Sequence, residues 1–203
     1  MNRCKRLKMN EPLCCEGKFL LQVPLFEKHH STLKKTSLDD STSSYMSESE
    51  QEVIDFDAVK DEYKKKYCCN AADARSCDAL LIDNENIALI EFKNGKITDS
   101  KEKEKIRSKI GESLLIFNDL TEKNLSFNRD YVYFILVYNK QKNKTFEDER
   151  HSYKNQLVGL IAQKANENYL LEGFKHYQFM FKGVKTINEE EFKNLVDNGQ
   201  IFC

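Results

Sequence analysis

Three residues in one short stretch have the types and spacing that chemistry on phosphate esters needs. Asp78, Glu91 and Lys93 lie in CDALLIDNENIALIEFK, residues 77–93. Two apolar runs, Cys77 to Ile82 and Ile87 to Phe92, flank the turn-forming Asp83-Asn84-Glu85-Asn86, which is the pattern of a β-hairpin. With Asn84-Glu85 as a two-residue loop, Asp83 faces Asn86, and the same register carried outward sets Asp78 opposite Glu91. Directly opposed residues leave the same face of a sheet with Cβ atoms about 4.5–5.5 Å apart. Lys93 is two residues beyond Glu91 and shares that face, because strand side chains alternate with period two. Two carboxylates and an ammonium therefore converge.

Both strands are apolar on both faces. Leu80, Ile82, Ile87 and Leu89 share the face of Asp78, while Ala79, Leu81, Ala88, Ile90 and Phe92 take the other. Charges at the end of such a strand pair are costly unless partnered. Two touching carboxylates also raise each other's proton affinity unless a cation sits between them. A divalent ion with hard oxygen ligands, Mg²⁺ or equally Mn²⁺, relieves that repulsion. A neighbouring lysine can then stabilise negative charge developing on a phosphate. This equipment suits phosphodiester hydrolysis. The competing expectation is a structural ion pair, since Glu-x-Lys at a strand end and Asp beside a turn are both common and short motifs match by chance. The flanking elements add the weight that the motif lacks.

Asp57 to Tyr67 has helical spacing, with Val59, Tyr63 and Tyr67 on one face. After the hairpin, Asp99 and Glu102 have capping-box spacing and open a helix that runs to about Leu120. Its apolar stripe is Ile106, Ile110, Leu114, Phe117 and Leu120. Tyr131 to Tyr138 is apolar throughout, as a strand covered on both faces should be. A polar loop over 139–150, a helix over 152–168, a strand over 177–187 and a last helix capped by Asn188 and Glu191 complete the order. Helix, hairpin, helix, strand, helix, strand, helix predicts an α/β (α+β) domain over 53–203, with a central mixed β-sheet flanked by helices. Residues 1–52 are expected to form an N-terminal extension. Its segment 31–52, rich in Ser, Thr and acids, reads as a flexible linker with little to bury.

Composition narrows the function classes. The chain has 203 residues, 32 Lys plus Arg against 33 Asp plus Glu, and a formal net charge of −1. That balance excludes a strongly basic nucleic-acid coat and a polyacidic tail. No apolar run approaches the roughly 20 residues needed to span a bilayer, so no membrane partner is expected. The basic start lacks a long apolar core and a small-residue cleavage site. The seven cysteines are odd in number and include two adjacent pairs. Both features favour a reducing, cytoplasmic setting.

Cys77-Asp78, Glu91-Phe92-Lys93 and the helix–hairpin–helix–strand order together resemble the PD-(D/E)XK, or restriction-endonuclease-like, nuclease superfamily. IEFKNGKI (90–97) followed by IRSKIGESLLIF (106–117) is similar to a group of poorly characterised bacterial proteins of this type. The resemblance extends over roughly residues 53–200. It implies a restriction-endonuclease-like core and Mg²⁺-dependent cleavage of nucleic acid, DNA before RNA. Asp78, Glu91 and the backbone carbonyl of Phe92 are then the metal ligands, and Lys93 the catalytic cation. An acidic residue on the first helix is implied as well: Glu62 is the candidate, with Asp57 and Asp61 close alternatives. Cys77 stands where the superfamily has its proline. A homodimer or larger complex, and service in phage defence, restriction or repair, follow from the same resemblance. The alternative from another class is a catalytically inactive module of this fold that binds a protein or nucleic-acid partner.

Other residues weigh less. Lys101, Lys103, Lys105, Arg107 and Lys109 crowd the helix after the hairpin. Lys103 and Arg107, four apart, are the best placed of them to bind a phosphate backbone, although the interleaved Glu102 and Glu104 also suit an ordinary solvated face. Cys68, Cys69 and Cys77 match no zinc spacing. His151 and His176 stand alone and enter no site.

Overall fold

The computed structural model describes residues 22–67, 74–155 and 174–202. Its helices are α1 (Pro24–Lys28), α2 (Leu33–Thr36), α3 (Phe56–Lys66), α4 (Ser100–Thr121), α5 (Leu125–Tyr131), α6 (Lys144–Asn155) and α7 (Glu189–Asp197). Its strands are β1 (His30–Thr32), β2 (Leu38–Asp39), β3 (Ser44–Tyr45), β4 (Glu52–Asp55), β5 (Ala79–Asp83), β6 (Asn86–Lys93), β7 (Val132–Tyr138) and β8 (Gly183–Asn188). Six of the strands form one sheet in the order β1-β4-β5-β6-β7-β8. The first four pair antiparallel in turn, and β6, β7 and β8 run parallel. This is the mixed α/β architecture that the periodicities predict. No helix among the described residues is long and apolar enough to cross a membrane.

The hairpin has the expected register, from Ala79 opposite Ile90 to Asp83 opposite Asn86, and Asn84 adopts a left-handed φ of 51° in the turn. Its two faces divide as alternation requires. Leu80, Ile87 and Leu89 join the core under α3 and α4, packed with Phe56, Val59, Ile106, Ile110, Leu114 and Phe117. Ala79, Leu81, Ala88, Ile90 and Phe92 face the opposite layer, which holds Leu33 of α2 and Phe192 of α7. Phe92 meets Phe192 edge-on with ring centroids 5.5 Å apart. β7 is buried on both sides: Phe134, Leu136 and Tyr138 face the layer of α4 and α6, and Ile135 and Val137 face the layer that holds Leu33 of α2 and Phe192 of α7.

Four expectations need correction. The Ser-rich segment is folded over its whole length: β1 pairs with β4, β2 pairs with β3, and Leu33 is fully buried. Its hydroxyls serve as local turn bonds. Ser37 Oγ donates to the Ser47 carbonyl and accepts from the Ser47 N–H at 3.0 Å, so polar side chains satisfy the backbone without a large core. The helix expected from Ser152 begins at Lys144 instead. Its inner face carries Phe146, Glu147 and Arg150, and the two buried charges hid the pattern. Its expected end near Asn168 lies outside the described residues. The strand expected from Tyr177 starts only at Gly183, after a 3₁₀ turn over Lys175–Phe179. Gly183 lies against Tyr133, whose ring a Cβ there would approach to 2.9 Å. Finally, Asp99 caps α4 through the Lys101 and Glu102 N–H groups, but the Glu102 side chain turns to Lys93 and Lys105 instead of closing a box. The capping box of Asn188 and Glu191 on α7 forms in full.

Candidate functional site

Asp78 stands one residue before β5, fixed on three sides by main chain. Its N–H donates to the Ile90 carbonyl (3.0 Å) and its own carbonyl accepts from the Phe56 N–H (3.1 Å), tying the hairpin to the start of α3. Carboxylate Oδ2 accepts from the Phe92 N–H at 2.6 Å. Glu91 points from β6 to the same face, with its side chain 3% exposed. The Lys109 ammonium, reaching down from α4, lies 3.1 Å from Asp78 Oδ1 and 2.8 Å from the Glu91 carboxylate. The two carboxylates thus meet at a single cationic point.

Burial and the Asp78 charge together push the Glu91 carboxyl well above its ordinary range. Burial also raises Asp78, against the pull of Lys109 and the Phe92 N–H. Burial opposes the Lys109 charge, but the two carboxylates outweigh it and keep the amine firmly protonated. With both carboxylates ionised, one ammonium leaves the cluster short of positive charge.

Asp57, in the first turn of α3, lines the same cleft as Asp78, Phe92 and Lys93. Its Oδ1 accepts from Ser76 Oγ (2.5 Å) and pairs with Lys60 (3.2 Å), and its charge adds to the upward push on Asp78 and Glu91. Glu62 is elsewhere: it binds Lys28 (2.6 Å) and His29 (2.9 Å). Five residues along a helix turn a side chain about 140° round the axis, which sends Glu62 toward α1 and leaves Asp57 at the site. Asp61 pairs with Lys60 on the surface.

Lys93 lines the cleft, but its ammonium is paired with Glu102 of α4, away from the two carboxylates. Lys103 and Arg107 are not brought to the site. Neither is among the cleft-lining residues, and the Arg107 charge acts on Tyr177. Two residues from Lys109, Arg107 lies about 160° round α4 from it. Lys109 itself was legible in principle. It is three residues beyond Ile106 and four before Ser113, both buried, and so belongs to the face turned to the sheet.

The cleft has a volume of about 500 Å³ and its outer wall is the β2–β3 hairpin, with Asp39, Asp40, Ser41 and Thr42 on its lining. Asn94, directly after Lys93, ties this hairpin down. Its Nδ2 donates to Asp39 Oδ2 (2.6 Å) and Thr42 Oγ1 (3.1 Å). Hydrogen bonds from Ser41 and Asn94 hold the Asp39 carboxyl far below the usual carboxylate range.

The donors suit a hard cation. Two carboxylates point at one place, and the Phe92 carbonyl leaves its strand on the same edge as the Phe92 amide that binds Asp78. Among the described residues no three His, Cys, Asp or Glu side chains form a metal cage. Mg²⁺ asks for less, since one or two carboxylates with water and substrate phosphate complete its shell. Among the described residues a softer ion is not served. Cys77 is buried, and burial with the nearby Glu91 pushes its thiol well up, away from the thiolate a zinc ion needs. Cys68 and Cys69 lie outside the described residues. In comparisons with protein-family models, curated proteins and solved structures, none matched this chain.

Proposed function

We propose that this chain is a metal-dependent nuclease that hydrolyses phosphodiester bonds, with DNA the first substrate class to test. The observation that carries this reading is the convergence of Asp78 and Glu91, within 3.1 and 2.8 Å of one cationic point, beside an open polar cleft. Asp78, Glu91 and the Phe92 carbonyl would hold Mg²⁺ or Mn²⁺. Such an ion, when bound, supplies a Lewis acid and lowers the pKa of its water. Asp57 takes the part first given to Glu62, adding negative charge that favours a cation and standing within the cleft to orient water. Lys93 faces the cleft from the strand end and would meet a phosphate oxygen once released from Glu102. The resemblance to PD-(D/E)XK nucleases rests on these same residues. A homodimer and a role in defence against foreign DNA or in repair belong to the proposal at the same remove.

One observation favours the second reading, a catalytically inactive binding module of this fold. Lys109 already partners both carboxylates. The two readings separate in calorimetric titration of Mn²⁺ into wild type and Glu91→Ala, paired with cleavage of plasmid, single-stranded DNA and RNA. Nuclease function requires metal binding and cleavage in wild type, with cleavage at least about 100-fold lower in the variant, as when a group that positions the reacting atoms is lost. Absence of metal binding in wild type would leave the cluster structural and turn the search to protein partners.

A further inference from the structure

The hairpin brings its own lysine to the site, yet a different lysine sits between the carboxylates. On α4 the spacing of Glu102, Lys105 and Lys109, three and then four residues apart, lays all three along the face turned to the sheet edge. Glu102 collects two of the cations, Lys93 and Lys105. Lys109, one turn further on, bridges Asp78 and Glu91. Its ammonium occupies the point on which a divalent ion would have to bind. A metal ion ligated at about 2.1 Å by those oxygens and an ammonium about 3 Å from them cannot coexist without strong like-charge repulsion. Lysine can leave. Its charge rides on a flexible four-carbon stem, and the Lys109 side chain is 24% exposed, against 3% for Glu91, so it has a route to the solvent side.

We propose that Lys109 is a positioning residue that serves as the resident counter-cation of the site, holding Asp78 and Glu91 together in the metal-free protein and giving up its place to a divalent ion. The proposal rests on the metal-site reading above. It explains how two buried carboxylates can be kept converged and ready without a metal. It also leaves the displaced ammonium on the solvent side of the site, where its stem is already partly exposed. Metal affinity is then set partly by a built-in competitor, so the site fills only when the ion outbids that lysine.

The test is Mn²⁺ titration by calorimetry into the full chain, wild type and Lys109→Met, with thermal unfolding of each at zero and saturating Mn²⁺. Removal of the competitor is expected to tighten Mn²⁺ binding about tenfold or more. It should also lower the unfolding midpoint without metal and enlarge the rise that metal produces. Binding in Lys109→Met that is equal to or weaker than in wild type overturns the proposal and leaves the metal site standing. Binding by neither protein overturns the metal site itself and this proposal with it. Should Lys109→Met fail to fold, ¹⁵N-lysine NMR of wild type decides, with the Lys109 ammonium signal assigned by its loss in Lys109→Arg. Saturating Mg²⁺ is expected to move that signal to the position and fast exchange of a surface lysine. A signal unchanged by Mg²⁺ overturns the proposal.

Discussion

Asp57 and Glu62 sit on one helix, and only the first of them shares a cleft with Asp78. The difference has a functional signature. Asp57→Asn removes a charge that acts on both Asp78 and Glu91, and is expected to weaken Mn²⁺ binding and lower cleavage by about 100-fold, the low end of what one positioned acid–base group contributes. Glu62→Gln breaks surface pairs with Lys28 and His29 and should leave cleavage unchanged and stability nearly so, since exposed ion pairs contribute little. Cleavage rates of the two variants, measured side by side, check this; equal losses would return Glu62 to the site. That Asp78 and Glu91 face each other was legible because a two-residue turn fixes register, and register fixes which face each side chain takes; the Lys93 ammonium, expected to join them, pairs instead with Glu102. Asp57 and Lys109 were less legible. Each shares the site only through the packing of a helix onto the sheet, and local spacing leaves several acids and lysines equally eligible.

At the level of elements, the β2–β3 hairpin carries the largest departure from expectation. Composition marks 31–52 as a segment that cannot bury enough to fold, yet Leu33 and an edge strand anchor it, and hydroxyls close its turns. Hydrophobicity averaged over a window misses a segment that needs only one or two apolar anchors and a neighbour to pair with. Asp39 is the polar anchor at its tip. Because the folded Asp39 pKa lies far below its ordinary value of 3.8, the hairpin tie stabilises the protein fully above that value and is lost gradually as pH falls from there toward the depressed folded value. Urea unfolding of wild type and Asp39→Asn should therefore differ fully above about pH 4, with the gap narrowing progressively between about pH 4 and pH 2. A gap that stays constant over this interval would mean that the carboxylate charge contributes nothing. Asn94→Ala should loosen the same wall and speed limited proteolysis within 38–45, while leaving the unfolding midpoint almost unmoved.

Across the whole molecule, the candidate site lies where ligands of parallel sheets are usually found, beyond the carboxyl ends of the strands. β6 ends at Lys93, beside Tyr138 of β7, which lies beside Asn188 of β8. The segments that follow β6 and β7 are laced together by asparagines. Asn139 donates from Nδ2 to Asn94 Oδ1 (2.9 Å), and its N–H donates to the Lys93 carbonyl (3.1 Å). The buried Asn143 accepts from the Ile97 N–H (2.9 Å) and donates to the carbonyls of Gly95 (3.0 Å) and Asn139 (2.8 Å). Gly95 and Lys142 in turn line the cleft, so one side chain ties the global packing of the strand ends to the shape of the site. Asn143→Ala leaves the buried Ile97 amide without its acceptor and should cost about 1–3 kcal/mol, the penalty for an unsatisfied buried group. Asn143→Asp keeps an acceptor for Ile97 but loses both donors. It brings a further negative charge into a buried position, and is expected to be at least as destabilising as alanine. Urea unfolding of the two variants ranks them. Under the nuclease proposal both should also lose cleavage at temperatures where they remain folded, because the loop that carries Gly95 then no longer holds the cleft in shape. Full activity in folded Asn143→Ala would show that the strand-end lacing serves stability alone.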